Sequence, residues 1–222
     1  MKYKAVLFDM DGVLIDSEPL YNDADARLFA SLGLPFGAKE IAAVTGVSHR
    51  VFGKLMREWY PELPQSEDEL SRVYVDGLLA ALRGGGVQLE PGVENWLRRL
   101  RDAGIKTAVA SSSTFEMVNY VVERFGLDRY VSAVVTGSDV ILGKPYPDIF
   151  LKTAEALSVA PDECLVIEDS PNGITAALAA GMTCAAYTAT NRHGLDHSKA
   201  HTRFDAFDGA AWEKLLGVRE RP

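Results

Sequence analysis

The sequence predicts an α/β protein with a doubly wound parallel sheet and an inserted all-helical domain. Short apolar runs alternate with amphipathic stretches, which is the pattern of a sheet covered by helices on both faces. The apolar runs are continuous rather than alternating, as expected of strands that are buried on both faces. From Ser17 to Arg83, between the first two predicted strands, the pattern is helical throughout.

The strand and helix predictions follow from these runs. The predicted strands are Lys4–Phe8, Ile105–Ala110, Val131–Val135, Cys164–Ile167 and Cys184–Tyr187. The predicted helices of the α/β part span about 92–103, 114–125, 147–158 and 171–180. Gly104, Gly126 and Gly181 follow three of these helices, where a glycine commonly ends a helix.

The inserted segment is predicted to contain three helices, from Pro19 to Leu32, Ser48 to Tyr60 and Ser66 to Leu82. Pro19 suits a first helical turn, and Ser66–Glu69 is typical of a capping box. Gly84–Gly86 indicates a flexible connection. We therefore expect residues 17–85 to form a hinged cap and residues 1–16 and 86–222 to form the core. The alternative is that these helices pack on the sheet as ordinary crossovers.

The composition of the 222-residue chain argues against a nucleic-acid or membrane partner. Its formal net charge of -8 and pI of about 5.1 argue against a nucleic-acid partner, which would want a basic face. No apolar run is long enough to span a bilayer, and the first residues lack a signal-peptide core. We expect a monomeric cytoplasmic protein without a membrane partner. Cys164 and Cys184 lie in apolar runs and are predicted to be core thiols.

Polar residues follow four of the predicted strands. They are Asp9 and Asp11, Ser111–Ser113, Lys144, and Glu168–Asp169. Ligands of open parallel sheets bind beyond the carboxyl ends of the strands. Carboxylates that converge there repel one another unless a cation such as Mg²⁺ lies between them, while hydroxyls and a lysine suit phosphate oxygens. The set predicts a site for metal and phosphate, although each residue alone would suit a solvated loop or a helix cap.

These motifs carry a resemblance to a known family. Asp9-Met10-Asp11-Gly12 follows a strand, and Ser111, Lys144 and the segment Ile167–Gly173 (IEDSPNG) come after it in order. The chain resembles the haloacid dehalogenase superfamily over essentially its whole length. Within that superfamily it is similar to the branch of sugar-phosphate phosphatases and β-phosphoglucomutase-like enzymes.

The resemblance implies a role for each motif. Asp9 would attack phosphorus and form an aspartyl-phosphate, and Asp11 would serve as the general acid and base. Mg²⁺ would be held by Asp9, the backbone carbonyl of Asp11 and the pair Glu168–Asp169. Ser111–Ser112 and Lys144 would bind the transferring phosphoryl group.

Two further segments give weaker expectations. Thr45–Arg50 resembles the cap loop that contacts the rest of the substrate in this branch, so His49 or Arg50 is a candidate for substrate choice. A solvated helix start is an equally good interpretation. His193, His197 and His201 are spaced four apart, as a metal site on a helix requires, but no apolar stripe accompanies them and Gly194 weakens a helix. A solvated segment is therefore favoured there.

Three functions remain open: a phosphatase of a small metabolite such as a sugar or polyol phosphate, a β-phosphoglucomutase-type mutase, and a non-catalytic binding protein. The mutases of this branch carry a histidine after the hinge and a Lys-Asn pair in the third cap helix. The corresponding positions here are Tyr21 and about Leu70–Ser71. Since these side chains lack the charge to bind a second phosphate, we expect water to be the acceptor.

Overall fold

The computed structural model describes residues 2–44, 48–191 and 194–217. Its centre is a six-stranded sheet in the order β3-β2-β1-β4-β5-β6, in which every pair is parallel. The strands are β1 Ala5–Phe8, β2 Lys106–Ser111, β3 Ala133–Thr136, β4 Cys164–Glu168, β5 Thr183–Tyr187 and β6 Thr202–Phe204. The predicted fold class is therefore confirmed.

Helices cover both faces of the sheet. The helices of the α/β part are α5 Val93–Asp102, α6 Phe115–Phe125, α7 Asp148–Leu157, α8 Pro171–Ala179 and α9 Gly209–Leu216. Successive side chains of β1 point to opposite faces, so Val6 and Phe8 pack with α5, α6 and α9, whereas Ala5 and Leu7 pack with α7 and α8. This burial on both faces explains the continuous apolar runs.

Four helices lie between β1 and α5: α1 Glu18–Ser31, α2 Ala38–Val44, α3 His49–Trp59 and α4 Glu67–Arg83. The predicted capping box at Ser66 is formed. In the interior, the rings of Phe52 and Tyr74 stack with centroids 3.9 Å apart. Apolar side chains of these helices belong to the same buried cluster as one face of the sheet. We continue to call residues 17–85 the cap, and its independent movement remains a prediction.

The sequence-based assignment missed three elements. Strand β6 has only three residues and buries one side chain, Phe204, so it offers no apolar run. Helix α9 is capped by the preceding residue, Asp208, whose carboxylate accepts a hydrogen bond from the backbone N–H of Ala211, 2.8 Å away. Helix α2 is only seven residues long. Short elements at an edge of the fold depend on tertiary packing more than on their own pattern.

The two cysteines and the lengths of the helices can also be compared with the sequence-based expectations. Cys164 and Cys184 are free and buried, as predicted. Within the described ranges, the helices are too short or too polar to cross a membrane.

Strand register determines where the candidate site forms. Phe8, the last residue of β1, lies opposite Val109 of β2 and Ile167 of β4. The chain order reverses at β1, since β2 lies on one side and β4 on the other. Asp9 therefore emerges at the crevice where open α/β sheets bind their ligands.

Candidate active site

The predicted core residues meet in one cavity of about 750 Å³ between the strand ends and the cap helices. Its lining includes all seven predicted core site residues: Asp9, Asp11, Ser111, Ser112, Lys144, Glu168 and Asp169. The cap contributes residues of α1, α2, α3 and α4 to the other side. The four strand-end motifs are therefore neighbours in space, as sheet topology requires.

Lys144 lies at the centre of the carboxylates. Its ammonium group donates hydrogen bonds to Oδ1 of Asp9, to Oε1 of Glu168 at 2.7 Å and to the backbone oxygen of Ala110 at 3.0 Å. Only 6% of its side chain is exposed. Burial alone would lower the pKa of Lys144, but the charges of Asp9 and Glu168 raise it above its ordinary value. Lys144 is therefore a fixed positive charge beside Asp9.

Glu168, which is expected to hold a metal together with Asp169, accepts hydrogen bonds on both of its carboxylate oxygens. Its Oε2 accepts hydrogen bonds from the backbone N–H groups of Asp169 and Ser170, both at 2.9 Å, and from the Ser170 hydroxyl at 3.0 Å. Its Oε1 is bonded to Lys144. A Cβ at Gly173 would lie 1.7 Å from that Oε1, so only glycine leaves room for the carboxylate. The contacts make Glu168 an anchor for Lys144 and for the start of α8.

Two serine hydroxyls, which the sequence did not assign to Asp11, hydrogen-bond to its carboxylate. The hydroxyl of Ser17, at the start of the cap, donates to Oδ1 of Asp11 at 2.6 Å. The hydroxyl of Ser113, in the loop after β2, donates to Oδ2 at 2.7 Å. Asp11 is thereby fixed between the cap and the core. Charge-assisted bonds of this kind are the stronger hydrogen bonds in proteins.

The serines after β2 take distinct positions. Ser111 ends the strand, is buried, and its hydroxyl oxygen accepts a hydrogen bond from the backbone N–H of Ser113 at 3.1 Å. Ser112 is half-buried and lines the cavity. Both serines line the cavity beside Asp9 and Lys144.

The charge of the cavity is strongly negative. Its lining carries six carboxylates: Asp9, Asp11, Glu18, Asp25, Glu168 and Asp169. Among the lining residues that the structure describes, Lys144 is the single Lys or Arg. Burial raises the pKa of Asp9, and Lys144 only partly opposes this; burial and the charge of Glu168 raise the pKa of Asp169 well above its usual value.

The donor set fits a hard divalent cation. Asp9 and Asp169 offer carboxylate oxygens, Asp11 offers a backbone carbonyl, and the excess negative charge calls for a cation. As the side chains stand in residues 2–44, 48–191 and 194–217, no three acidic, histidine or cysteine groups converge at ligand spacing. Glu168 already accepts hydrogen bonds from Lys144 and from the N–H groups of the loop.

The cap end of the cavity contains one of the two predicted specificity residues. His49 lines it, half-buried, and burial together with the charge of Arg50 lowers the pKa of His49. Arg50 is exposed and points elsewhere, donating to the backbone oxygen of Val140 at 3.5 Å. Residues 45–47 of the cap loop lie outside the described residues. Leu70 and Ser71 do not line the cavity, whereas Tyr74, Val75 and Leu78 of the same helix do.

The histidine segment is also corrected. His197 is buried, at 4% exposure, and its Nε2 lies 2.5 Å from the backbone oxygen of Asp169. His201 is exposed, although its Nδ1 accepts a hydrogen bond from the backbone N–H of Cys184 at 3.1 Å. His193 lies outside the described residues. The prediction of a solvated segment is wrong for His197, because this non-helical stretch packs against the loop after β4.

A family model supplies the identity that this geometry suggests. The model of the haloacid dehalogenase-like hydrolases matches residues 3–181. The chain belongs to this family. The match includes all four strand-end motifs, so the sequence-based resemblance is confirmed.

Two proteins to which this haloacid dehalogenase-like hydrolase is similar are named as phosphatases. It is 39% identical over 184 residues to a probable pseudouridine-5'-phosphatase from Drosophila melanogaster, covering 79% of this chain and 78% of the relative. It is 34% identical over 217 residues to the phosphorylated carbohydrates phosphatase of Thermotoga maritima, covering 97% of each chain. Its fold matches the crystal structure of CbbY from Rhodobacter sphaeroides in complex with phosphate, with a TM-score of 0.79, 27% identity and coverage of 92% of this chain and 95% of that chain.

Sequence reasoning overlooked another lining residue of this hydrolase, Asp25. Tyr21, Asp25 and Phe29 are spaced four apart on α1, so they share one face of the helix. Asp25 is therefore an acidic residue in an apolar, inward-facing stripe, and that pattern was visible in the sequence.

Proposed function

We propose that this chain is an Mg²⁺-dependent phosphatase that hydrolyses a small sugar or polyol phosphate through an aspartyl-phosphate on Asp9. The observation that carries the proposal is the contact of Asp9 with Lys144, in a cavity that also holds Asp11 and the serines after β2. The coarser conclusion, a phosphoric monoester hydrolase of the haloacid dehalogenase-like family, is supported by the phosphatases to which the chain is similar.

Asp9 is proposed as the nucleophile. It directly follows β1 at the centre of the sheet, and its backbone N–H donates to Ile167 O at 2.9 Å, so its position is rigid. The bond from Lys144 to Oδ1 orients the carboxylate. Attack of a carboxylate oxygen on phosphorus, with loss of the alcohol, divides a difficult displacement into two easier steps. Lys144 then lies where it can offset charge on the phosphoryl oxygens.

Asp11 is proposed as the general acid and base. Hydroxyls of Ser17 and Ser113 hold its two oxygens, so the carboxyl group keeps one orientation in both steps. It would give a proton to the leaving alcohol oxygen and later take one from the attacking water. The buried hydroxyl of Tyr21 lies beside it, and burial together with the Asp11 charge raises the pKa of Tyr21 well above its ordinary value. Tyr21 therefore stays neutral.

Asp9, Asp169 and the backbone carbonyl of Asp11 are proposed to hold Mg²⁺. Bound there, Mg²⁺ would neutralise charge on the phosphoryl oxygens and so favour attack by a carboxylate. We assign Glu168 to positioning, because both of its oxygens already accept hydrogen bonds from Lys144 and from the loop that carries Asp169. Ser111 and Ser112 are assigned to the phosphate.

Water is the proposed acceptor, and the cap end of the cavity supports this. A mutase must also bind the second phosphate of a bisphosphorylated intermediate, which calls for Lys or Arg side chains. The described cap residues that line the cavity include no Lys or Arg, and they do include the carboxylates of Glu18 and Asp25. That arrangement repels a second phosphate. We propose that the cap of residues 17–85 closes over a monophosphate and excludes bulk water.

Release of inorganic phosphate from an aryl phosphate tests the proposal. We expect steady turnover with Mg²⁺, none in excess chelator, and recovery when Mg²⁺ is restored. Asp9→Asn is nearly isosteric and should reduce kcat by roughly a thousandfold or more, since the uncatalysed reaction is extremely slow. Asp23→Asn, an exposed site on α1, is the matched control. Activity of Asp9→Asn within tenfold of wild type would exclude Asp9 as the nucleophile.

A further inference from the structure

Asp25 is a buried carboxylate without a cation. It lies in α1, is 3% exposed and lines the cavity. Its Oδ1 is buried and has no hydrogen-bond partner within the described part of the chain. Burial raises its pKa to about 7, and no neighbouring positive charge opposes the shift. A carboxylate in this situation destabilises a fold unless something outside the protein contacts it.

The cap helices contribute apolar and aromatic side chains to the cavity that Asp25 lines. They include Ile41 and Val44 of α2 and Tyr74 and Leu78 of α4, and we call this cap end of the cavity the chamber. Burial raises the pKa of the Tyr74 hydroxyl, and the charges of Asp25 and Asp11 raise it further. Ligand pockets typically combine such apolar walls with a few polar groups that orient the ligand.

The position of Asp25 relative to the chemistry is fixed by α1. Ser17, just before the first residue of the helix, contacts Asp11. Asp25 follows eight residues later, which corresponds to about 12 Å along a helix axis. One rigid helix therefore connects the catalytic end of the cavity to the chamber, and a substrate bound at Asp9 would extend toward Asp25.

A purely structural role accounts poorly for Asp25. Aspartate is an unfavourable residue within a helix, and it caps neither end of α1. Asp23, on the same helix, occupies the exposed position where an aspartate is ordinarily found. A leucine at position 25 would bury apolar surface instead of a charge, so the fold itself does not require the carboxylate.

We propose that Asp25 is a specificity-determining residue that receives the non-phosphorylated end of the substrate, accepts hydrogen bonds from its hydroxyl groups and excludes a second anionic group. The inference rests on the proposed phosphatase function and adds to it the residue that selects the substrate. The preferred substrates are monophosphates of polyols or sugars that carry a free hydroxyl far from the phosphate. Bisphosphates and phosphorylated acids are rejected, because their second negative charge would enter a chamber whose described lining contains a carboxylate and no Lys or Arg.

The test compares kcat/KM for three substrates: sorbitol 6-phosphate, fructose 1,6-bisphosphate and p-nitrophenyl phosphate. The wild type should prefer sorbitol 6-phosphate over the bisphosphate. In Asp25→Asn, the ratio of kcat/KM for sorbitol 6-phosphate to that for the aryl phosphate should fall about tenfold to a hundredfold, as expected for a lost hydrogen bond to a charged group. Discrimination against the bisphosphate should weaken. Asp23→Asn should keep both ratios.

Asp25→Glu provides the second variant. It retains the charge, so it should still reject the bisphosphate even if the added methylene lowers turnover of sorbitol 6-phosphate. Ratios that change less than threefold in Asp25→Asn, or equal discrimination by Asp25→Asn and the wild type, would overturn the assignment of Asp25. Failure of the phosphatase proposal looks different, since the wild type would then release no phosphate from the aryl substrate either.

Discussion

We compare the free energy of unfolding of Asp25→Asn with that of the wild type. The difference between them should move in favour of the variant as pH rises from acidic to neutral. In the unfolded chain Asp25 titrates at its ordinary pKa of 3.8, whereas burial raises the folded pKa to about 7. Between those values the folded state holds a proton that the unfolded state has lost. The free energy of unfolding of the wild type therefore falls as pH rises through this window.

The size of the effect follows from the two pKa values. The difference between a pKa of 3.8 and one of about 7 corresponds to about 4 kcal/mol, which is an upper bound on the destabilisation above pH 7. Asparagine does not titrate, so its own burial cost is the same at each pH. The difference between the two proteins should thus grow by about 1–4 kcal/mol from pH 4 to pH 8, or several degrees in Tm for a chain of this size.

Urea unfolding at pH 4, 5, 6, 7 and 8 measures this difference for wild type, Asp25→Asn and Asp23→Asn. Subtracting the wild-type curve removes the pH dependence contributed by the other carboxylates. Asp23→Asn should give a nearly flat difference, because Asp23 is exposed. A flat difference for Asp25→Asn, or one that favours the wild type as pH rises, would refute the argument that Asp25 is buried without a compensating charge.

The other predictions concern the catalytic groups and the hinge. Asp11→Asn should lower kcat much more for alkyl phosphates than for aryl phosphates, whose leaving groups need less protonation; equal losses would contradict its role as the acid. Asp169→Asn should raise the Mg²⁺ concentration needed for half-maximal activity, whereas Glu168→Gln should lower kcat without rescue by Mg²⁺; rescue of both would make Glu168 a ligand. Replacing Gly84–Gly86 with prolines should lower kcat, while a thermal melt should show that the core is still folded. Unchanged kinetics would argue against cap movement.

The assembly of the site could be predicted from sequence because it follows from sheet topology. Residues that directly follow neighbouring parallel strands must meet at one edge, whatever the details of packing. Asp9 and Glu168 are neighbours because β1 and β4 pair in register. The order of motifs along the chain thus contained most of the information about which groups converge.

The hydrogen-bond partners of those groups could not be predicted in the same way. Ser17 and Ser113 lie 96 residues apart yet hold the same carboxylate, and no local sequence pattern indicates that their hydroxyls meet at Asp11. The hydrogen bonds of Glu168 to the loop before α8 depend on the glycine at position 173, because only glycine leaves room there for the carboxylate. His197 was expected in solvent for the same reason, since nothing local indicates that it packs against Asp169.

Both ends of the cavity carry acidic side chains that outnumber the positive charges beside them, and one ligand could compensate both ends. At the sheet end, Lys144 alone faces Asp9 and Glu168, with Asp169 nearby. At the cap end, Asp25 is buried, and the described cap residues that line the cavity include no Lys or Arg. A substrate with a phosphate and a distant hydroxyl, together with a divalent cation, would relieve both ends at once, and such binding would favour the closed arrangement by its differential affinity. Because Ser17, just before α1, donates a hydrogen bond to Asp11, a movement of the cap on substrate binding would act on the orientation of Asp11. Recognition of the distal hydroxyl and readiness for proton transfer would then be coupled through α1.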